Sequence, residues 1–247
     1  MTPRPVLVNI KALDDVAVGR FWAQALGWDA SSPGRGETNV RPTGFDWAAP
    51  ATVCVDVVAV PEPKPPVKNR VHLDLATRSP AHRAELVARL LELGATPVDV
   101  GQGDVPWTVL ADPEGNEFCV LEPREVYRDT GPIAAVVVDC ADPRDMARFW
   151  GGALDWTLRE VGEDSAVLRS AEGVGPYLEF LRGGDPKAWP DRVHLDLLRH
   201  PRDDHEAEAA RLRALGATDL DVGQGDVPWM CMCDPEGHEF CVLARSS

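Results

Sequence analysis

Arg70-Val-His-Leu-Asp-Leu75 decides the fold of this chain, because the same six residues return as Arg192-Val-His-Leu-Asp-Leu197. Val100-Gly-Gln-Gly-Asp-Val-Pro-Trp107 also returns unchanged, as Val222 to Trp229, at the same offset of 122 residues. No insertion separates these copies. A gap-free repeat of this length indicates a duplicated domain rather than a solenoid, whose units are only about 20 to 50 residues long. We therefore expect each half of the chain to be one functional unit.

The repeat predicts two domains, residues 1–126 and residues 129–247, with a boundary around Pro123 to Pro132. A Phe-Trp pair occurs early in each half, as Phe21-Trp22 and Phe149-Trp150, at an offset of 128 rather than 122. The first half thus carries extra residues between its first helix and its histidine-bearing strand.

Each half can be read as two consecutive βαβββ units. Apolar residues recur at helical spacing over Asp15 to Leu26, which ends at Gly27, and a second helix is predicted from Pro80 to Leu93. Apolar strands precede these helices at Val6 to Ile10 and Val71 to Ala76. The second half repeats the plan. The pattern predicts an α+β protein with two βαβββ modules per domain.

The composition is acidic, with 40 Asp and Glu against 25 Lys and Arg and a formal net charge of −15. This charge repels phosphate backbones and anionic lipid surfaces, so we expect neither nucleic acid nor a membrane as a partner. The sequence shows no secretory signal and no run of about 18 apolar residues, which predicts a cytoplasmic protein. Six cysteines without a CxxC pair are expected to be reduced and mostly buried.

Four features together resemble the vicinal oxygen chelate superfamily. They are the paired βαβββ units, a Phe-Trp helix followed by Leu26-Gly-Trp28, the Arg-Val-His-Leu-Asp-Leu strand and a closing Asp-Pro-Glu-Gly hairpin. This superfamily contains glyoxalase, bleomycin resistance and extradiol dioxygenase proteins, and the chain is most similar to glyoxalase-like proteins with tandem domains. The resemblance implies that two modules form a cupped mixed sheet whose concave face holds the ligand. In single-domain relatives two chains often share a cup. The fused halves can supply that pairing within one chain, so we expect a monomer or a homodimer.

The resemblance also implies four metal-ligand positions, of which the first is lost here because it falls on Leu7 and Ala135. The other positions carry a carboxylate, a histidine and a thiol in each half: Asp56, His72 and Cys119 in the first, and Glu179, His194 and Cys241 in the second. A site reduced in this way predicts a protein that holds no metal and no other cofactor.

Strand alternation predicts which side chains face the cup. His72 shares a face with Asp74, whereas Val71 and Leu73 point toward the helices, and Glu117 shares a face with the cysteine two residues later. No catalytic residue is assigned. The candidate pocket residues are His72, Asp74, Trp107, Glu117, Cys119 and Glu179, together with the copies His194, Asp196, Trp229, Glu239 and Cys241.

Each of these features also has a purely structural interpretation. His72 and its copy are either functional or core histidines bonded to the aspartate that follows, while Cys119 and its copy are typical of small buried side chains. The two tryptophans either line the cup or cover a core. Asp112-Pro-Glu-Gly115 is typical of a tight turn. Cys231 and Cys233 share a strand face, but the first half has valine and alanine there, so no repeated thiolate site is implied.

Three classes of function remain open. The reduced metal positions and an apolar, aromatic cup favour a protein that binds a small hydrophobic or aromatic molecule. The alternative is a lyase or isomerase of the glyoxalase type, or a dioxygenase-like member, with a reduced metal site or with metal-free acid–base catalysis by His72 and Glu117. The third is a structural module of a larger assembly. Carboxylates in the cup predict a preference for neutral or cationic ligands over anions.

Overall fold

The structure is a computed structural model of the chain and describes residues 4–46, 53–183, 187–198, 204–223, 225 and 227–243. Four βαβββ units follow one another, and we number them modules 1 to 4 in chain order. Module 1 consists of β1 (Arg4–Ala12), α1 (Asp15–Leu26), β2 (Asp29–Gly34), β3 (Glu37–Arg41) and β4 (Cys54–Ala59). Module 2 consists of β5 (Val71–Leu75), α2 (Pro80–Glu92), β6 (Thr96–Pro97), β7 (Thr108–Ala111) and β8 (Glu117–Val120).

The second half has the same composition. Module 3 consists of β9 (Ile133–Cys140), α3 (Pro143–Leu154), β10 (Thr157–Val161), β11 (Ser165–Arg169) and β12 (Tyr177–Arg182). Module 4 consists of β13 (Val193–Leu198), α4 (His205–Leu215), β14 (Thr218–Asp219), β15 (Met230–Cys233) and β16 (Glu239–Leu243). A short 3-10 helix, Glu125–Tyr127, lies in the linker between the halves.

The modules form two eight-stranded mixed sheets, and each sheet takes one module from each half of the sequence. Sheet 1 has the strand order β14-β15-β16-β13-β1-β4-β3-β2 and combines modules 1 and 4. Sheet 2 has the order β10-β11-β12-β9-β5-β8-β7-β6 and combines modules 2 and 3. The modules meet through antiparallel pairs, β1 with β13 and β5 with β9. The α+β fold predicted from the sequence is confirmed, and each half of the chain supplies one module to each sheet.

The helix-facing sides of both sheets enclose a common apolar core. Val71, Leu73 and Leu75 lie in it, as strand alternation predicted. Phe21 and Trp22 of α1 contact Phe118 of β8 with ring centroids 6.0 Å and 5.1 Å apart. Because α1 belongs to a module of sheet 1 and β8 to sheet 2, these aromatic contacts join the two sheets. The repeat forms the same cluster from Phe149, Trp150 and Phe240.

The Asp-Pro-Glu-Gly loops do more than turn the chain, which corrects their assignment to turn chemistry alone. Asp112 accepts a hydrogen bond from the Trp22 indole nitrogen at 3.2 Å, and Glu114 accepts the backbone N–H groups of Leu13 and Asp14 at 2.7 Å and 2.8 Å. A carboxylate at the start of a helix satisfies donors that lack partners within the helix. The loop after β7 therefore fixes the position of α1. Within the described part of the chain, no helix is long and apolar enough to cross a membrane.

Candidate functional site

Each sheet has one face turned away from the common core, and these two faces carry the predicted site residues. We call the face of sheet 1 that bears His194 the His194 face, and the face of sheet 2 that bears His72 the His72 face. Asp74 and Asp196 lie on the same faces as their neighbouring histidines, in agreement with the period of two in an extended strand.

The module exchange changes which candidate residues meet. The sequence analysis grouped one carboxylate with the histidine and the cysteine of the same half, and this grouping is wrong. Each half contributes its two modules to different sheets, which separates Asp56 from His72 and Cys119, and Glu179 from His194 and Cys241. β4, which carries Asp56, lies beside β1 and hence on the sheet of His194, whereas β12, which carries Glu179, lies beside β9 on the sheet of His72. The strand order therefore joins Asp56 to His194 and Glu179 to His72.

On the His72 face, His72, Asp74 and Cys119 place possible ligand atoms within 4.8 Å of one another. The His72 Nε2 lies 3.5 Å from Asp74 Oδ1, but this contact is not an ion pair at neutral pH. Burial, helped by the positive charge of Lys68, lowers the pKa of His72 to about 3. Burial, together with the charge of Glu179, raises the pKa of Asp74 to about 7. The burial of both groups disfavours their charged forms.

A tyrosine from the linker covers the same face. The Tyr127 phenol donates a hydrogen bond of 2.9 Å to Glu179, and its ring stacks edge-on against Tyr177 with centroids 5.7 Å apart. Tyr127 also packs among apolar residues of the face such as Ala135 and Val137. Burial raises the pKa of Glu179, as it does that of Tyr127. The resemblance places Glu179 at a metal-ligand position, but its carboxylate is hydrogen-bonded to Tyr127 of the same chain.

Beside Tyr127 lies a cavity of about 550 Å³, which we call the Glu179 cavity. It is lined by two tyrosines, two glutamates, several aliphatic side chains and three arginines: Tyr127, Tyr177, Glu160, Glu179, Val126, Val167, Leu181, Arg124, Arg159 and Arg169. The Arg169 guanidinium stacks on Tyr177 at 4.4 Å and donates to its hydroxyl at 2.9 Å. Its Nη2 is buried without a hydrogen-bond partner among the described residues. The arginines outnumber the carboxylates in this cavity, which does not suit the predicted preference for neutral or cationic ligands over anions.

On the His194 face, His194, Asp196 and Cys241 form the matching group within 4.8 Å. The His194 Nε2 lies 3.3 Å from Asp196 Oδ1 and 3.9 Å from the Cys241 sulfur. Asn9 of β1 donates to the other oxygen of Asp196 at 3.3 Å. Both Nδ1 of His194 and Oδ1 of Asp196 are buried without a hydrogen-bond partner among the described residues. The polar cluster is therefore only partly satisfied by the protein.

Cys231 distinguishes this face from its counterpart. Cys231 lies opposite Cys241 in the antiparallel pair of β15 and β16, and their sulfur atoms are 3.5 Å apart. The hydrogen bond from Cys241 lowers the pKa of Cys231, and His194 and the Trp229 indole act in the same direction. The same contact and burial raise the pKa of Cys241. In sheet 2 the residue opposite Cys119 is Val109, so no second sulfur is present at the matching position.

Asp56 is a further carboxylate of the His194 face. It lies across from Asn9 on one side and Asn39 on the other. Burial raises the pKa of Asp56 to about 7, although the charge of Arg41 acts in the opposite direction. The thiol of Cys54, two residues earlier, is also buried, and burial raises its pKa. Asp56 is thus a group that can exchange a proton near neutral pH.

Two of the predicted pocket residues are engaged in ion pairs at the start of their strands. Glu117 binds Lys64 at 2.9 Å and the backbone N–H of Asn69 at 3.1 Å. Glu239 binds Lys11 at 3.0 Å and Lys187 at 3.1 Å. The structure therefore provides no contact between Glu117 and His72 for the acid–base pair considered from the sequence.

The two tryptophans have different surroundings. Trp107 is partly buried and packs against the apolar residues of the His72 face. Trp229 is 38% exposed and lies beside Cys231. The two copies therefore differ: Trp107 covers apolar side chains, whereas Trp229 lies next to a polar cluster.

Tyr127, Arg169 and Cys231 are site residues that the sequence analysis missed. Tyr127 lies in the linker and Arg169 in the less repetitive first unit of its half, so the repeat drew no attention to them. Cys231 has Val109 as its counterpart in the first half, so the repeat does not mark it as a site residue. The sequence did contain one signal for Cys231: the two copies differ at this position, and such a difference marks where the two faces differ in chemistry.

The residues present do not fit the four-ligand metal site of the superfamily. Leu7 and Ala135 offer no donor atom at the first position, and Tyr127 is bonded to the carboxylate of Glu179 at the second. Burial raises the pKa of the Cys119 thiol, so a metal ion bound there would have to displace its proton.

Two βαβββ modules side by side in each of two open sheets, with polar residues on the outer strand faces, define a protein of the vicinal oxygen chelate superfamily. A family model described as a glyoxalase-like domain matches residues 7–121 and residues 135–243. The chain therefore belongs to the glyoxalase-like domain family. No curated protein matches this chain.

Solved structures with the same arrangement have low sequence identity. Glyoxalase I from Zea mays is 15% identical with a TM-score of 0.63, over 98% of this chain and 92% of that chain. A putative dioxygenase from Bacillus subtilis subsp. subtilis str. 168 is 11% identical with a TM-score of 0.66, over 100% of this chain and 86% of that chain. At such identities the likeness shows the fold alone, and function must be argued from the site.

Proposed function

We propose that this protein binds a small aromatic molecule in the Glu179 cavity without a metal ion. The observation that carries the proposal is the hydrogen bond of 2.9 Å that Tyr127 donates to Glu179. Glu179 stands at a metal-ligand position of the superfamily, and here its carboxylate binds a tyrosine of the same chain instead. The cavity volume of about 550 Å³ suits a ligand of one to three rings, since small-molecule pockets span roughly 300 to 1,000 Å³.

The lining supports an aromatic ligand with an acceptor or acidic group at one edge. Tyr127 and Tyr177 offer ring faces and edges, which favour offset or edge-on aromatic contacts. Arg169 lines the cavity, and its Nε and Nη1 already donate to the Gly175 carbonyl and the Tyr177 hydroxyl, which leaves Nη2 for one charge-assisted hydrogen bond to a carboxylate, sulfonate or phosphate. Burial raises the pKa of Glu179, so this carboxyl opposes an anion less than an ordinary glutamate would.

Two fluorescent probes with almost the same ring system test the proposal. 1-Anilinonaphthalene-8-sulfonate carries an anionic group that N-phenyl-1-naphthylamine lacks. We expect the sulfonate to bind at least about ten-fold more tightly, because a hydrogen bond to a charged group contributes roughly 1.5 to 3 kcal/mol. Arg169→Gln should remove that difference and leave the neutral probe bound.

The matched control is Arg213→Gln, which removes an exposed arginine of α4 that pairs with Glu206 and Asp219 outside the cavity. This variant should bind both probes like the wild type. Thermal melts of each variant check that the fold is intact. Equal affinity of the wild type for the two probes, or loss of both probes in the control, would contradict the proposal.

A second candidate is a metal-free isomerase or lyase of the glyoxalase type. The observation that favours it is the pKa of about 7 that burial gives to Asp56 and Asp74, a range suited to proton transfer at neutral pH. In that case an α-hydroxycarbonyl compound would be consumed rather than only bound. Asp56→Asn and Asp74→Asn would stop its consumption without changing the affinity for the sulfonate probe.

A further inference from the structure

We propose that Cys231 and Cys241 form a reversible redox pair, a cross-strand disulfide that hydroperoxides create on the His194 face. The inference is independent of ligand binding in the Glu179 cavity, because the two sites lie on different sheets. The sulfur atoms are already 3.5 Å apart and directly opposed across β15 and β16.

The backbone geometry permits the bond without rearrangement. Directly opposed residues of an antiparallel pair have Cα atoms about 4.5 to 5.5 Å apart. A disulfide spans Cα distances of about 4.4 to 6.8 Å and has an S–S length near 2.05 Å. The two sulfur atoms therefore need to approach by about 1.5 Å, which side-chain rotation within the pair can supply.

Access distinguishes this pair from the other cysteines. Cys54, Cys119 and Cys140 are buried, whereas Cys231 and Cys241 are partly exposed. Cys233 is partly exposed too, but its opposite residue is Glu239 rather than a cysteine. Among the described cysteines, then, Cys231 and Cys241 combine access for an oxidant with a facing sulfur.

The reaction balances with one hydroperoxide per disulfide. The Cys231 sulfur, as thiolate, attacks the terminal peroxide oxygen, the O–O bond breaks, and the leaving oxygen takes a proton to become an alcohol or water. Cys231 is then a sulfenic acid. The Cys241 sulfur attacks it, the S–S bond forms, and hydroxide leaves as water with the proton of Cys241. The two sulfurs together lose two electrons, which the peroxide gains.

His194 is placed to assist the second step. Its Nε2 lies 3.9 Å from the Cys241 sulfur and can accept the proton that this thiol loses. Asp196, 3.3 Å from the same nitrogen, can stabilise the resulting imidazolium. The Asp196 Oδ1, which has no hydrogen-bond partner among the described residues, thus acquires a use when the thiols react.

Thiol counting on the full chain tests the proposal. The reduced protein has six thiols, and treatment with hydrogen peroxide should lower the count in denaturant by two. The intact mass should fall by the two hydrogens, and dithiothreitol should restore both values. Cleavage between Cys233 and Asp234 should leave two peptides joined by a reducible bond, while the Cys119 peptide stays unlinked.

Three alanine variants assign the bond. Cys231→Ala and Cys241→Ala should lose no pair of thiols, whereas the control Cys233→Ala should still lose two. Since the wild type alone can be mapped by its linked peptides, a variant that fails to fold does not remove the test. An unchanged thiol count in the wild type, a dimer joined between chains, or oxidation that dithiothreitol does not reverse would overturn the proposal.

Discussion

At the scale of single residues, the two Val-His-Leu-Asp-Leu strands carry the same side chains into different surroundings. His72 is buried, and burial holds it neutral. His194 instead lies 3.9 Å from the sulfur of Cys241, which in turn contacts Cys231. One difference across the sheet, Val109 in place of the second cysteine, leaves Cys119 without a facing sulfur. Identical strands therefore need not have identical chemistry.

The charge of Asp74 gives a prediction for stability against pH. Burial raises its pKa from 3.8 to about 7, so the folded state binds this proton more tightly than the unfolded state. The resulting stabilisation is complete below the unfolded pKa and is lost as the pH rises from about 4 to about 7. Asp74→Asn should therefore stabilise the protein at about pH 8, on the order of 1 to 3 kcal/mol, and change little at about pH 4.

Urea unfolding at the two pH values measures this difference, with Asp104→Asn in an exposed loop as the control for removing a negative charge. The control should shift the unfolding midpoint slightly and without a comparable pH dependence. A stability change from Asp74→Asn that is the same at both pH values would mean that Asp74 is ionised throughout.

At the scale of secondary-structure elements, the loops after β7 and β15 position the first helix of each half. Asp112 accepts the indole N–H of Trp22 and also the backbone N–H groups of Glu114 and Asn116. Asp234 repeats the arrangement with Trp150. These buried hydrogen bonds join a module of one sheet to a module of the other, so the turn sequence contributes to tertiary structure as well as to the hairpin.

Replacing Asp112 tests this role. Asp112→Ala leaves the Trp22 indole and two backbone N–H groups without their acceptor, and an unpaired buried donor costs about 1 to 3 kcal/mol. We expect a total loss of roughly 2 to 4 kcal/mol in the free energy of unfolding. Asp99→Ala is the matched control, because Asp99 lies in an exposed turn and, among the described residues, accepts only the backbone N–H of Gly101. Similar losses for both variants would contradict the inter-module role.

At the scale of the whole molecule, neither half can complete a sheet alone. β13 pairs with β1, and β9 pairs with β5, so cutting the chain in the linker exposes the central edge of every module. An exposed strand edge pairs readily with another chain. The linker contributes Tyr127 to the His72 face, which connects the site itself to the fusion of the halves.

Separate expression of residues 1–126 and 127–247 tests this arrangement. We expect the two pieces to assemble with one copy of each, at the 26.9 kDa of the intact chain, because only that pairing restores both observed central contacts. Size-exclusion chromatography with light scattering gives the mass. Two folded, monomeric halves that do not associate would show that the exchanged sheets are not needed for folding.

The sequence by itself determined the repeat, the βαβββ plan and the face on which each strand residue lies. These follow from local rules: the period of a strand or helix depends on neighbouring residues, and a gap-free duplication is visible without structure. Strand alternation thus placed His72 beside Asp74 and put Val71 and Leu73 in the core.

Only the tertiary structure decided which module pairs with which, and so which residues share a site. The strands of both halves have nearly the same pattern, so β5 could satisfy its hydrogen bonds equally well beside β1 or beside β9 as far as local sequence is concerned. The common aromatic core and the buried Asp112 and Asp234 contacts select the exchanged arrangement. That selection brings Glu179 to His72 and Asp56 to His194, because a contact between distant strands depends on packing of the whole chain.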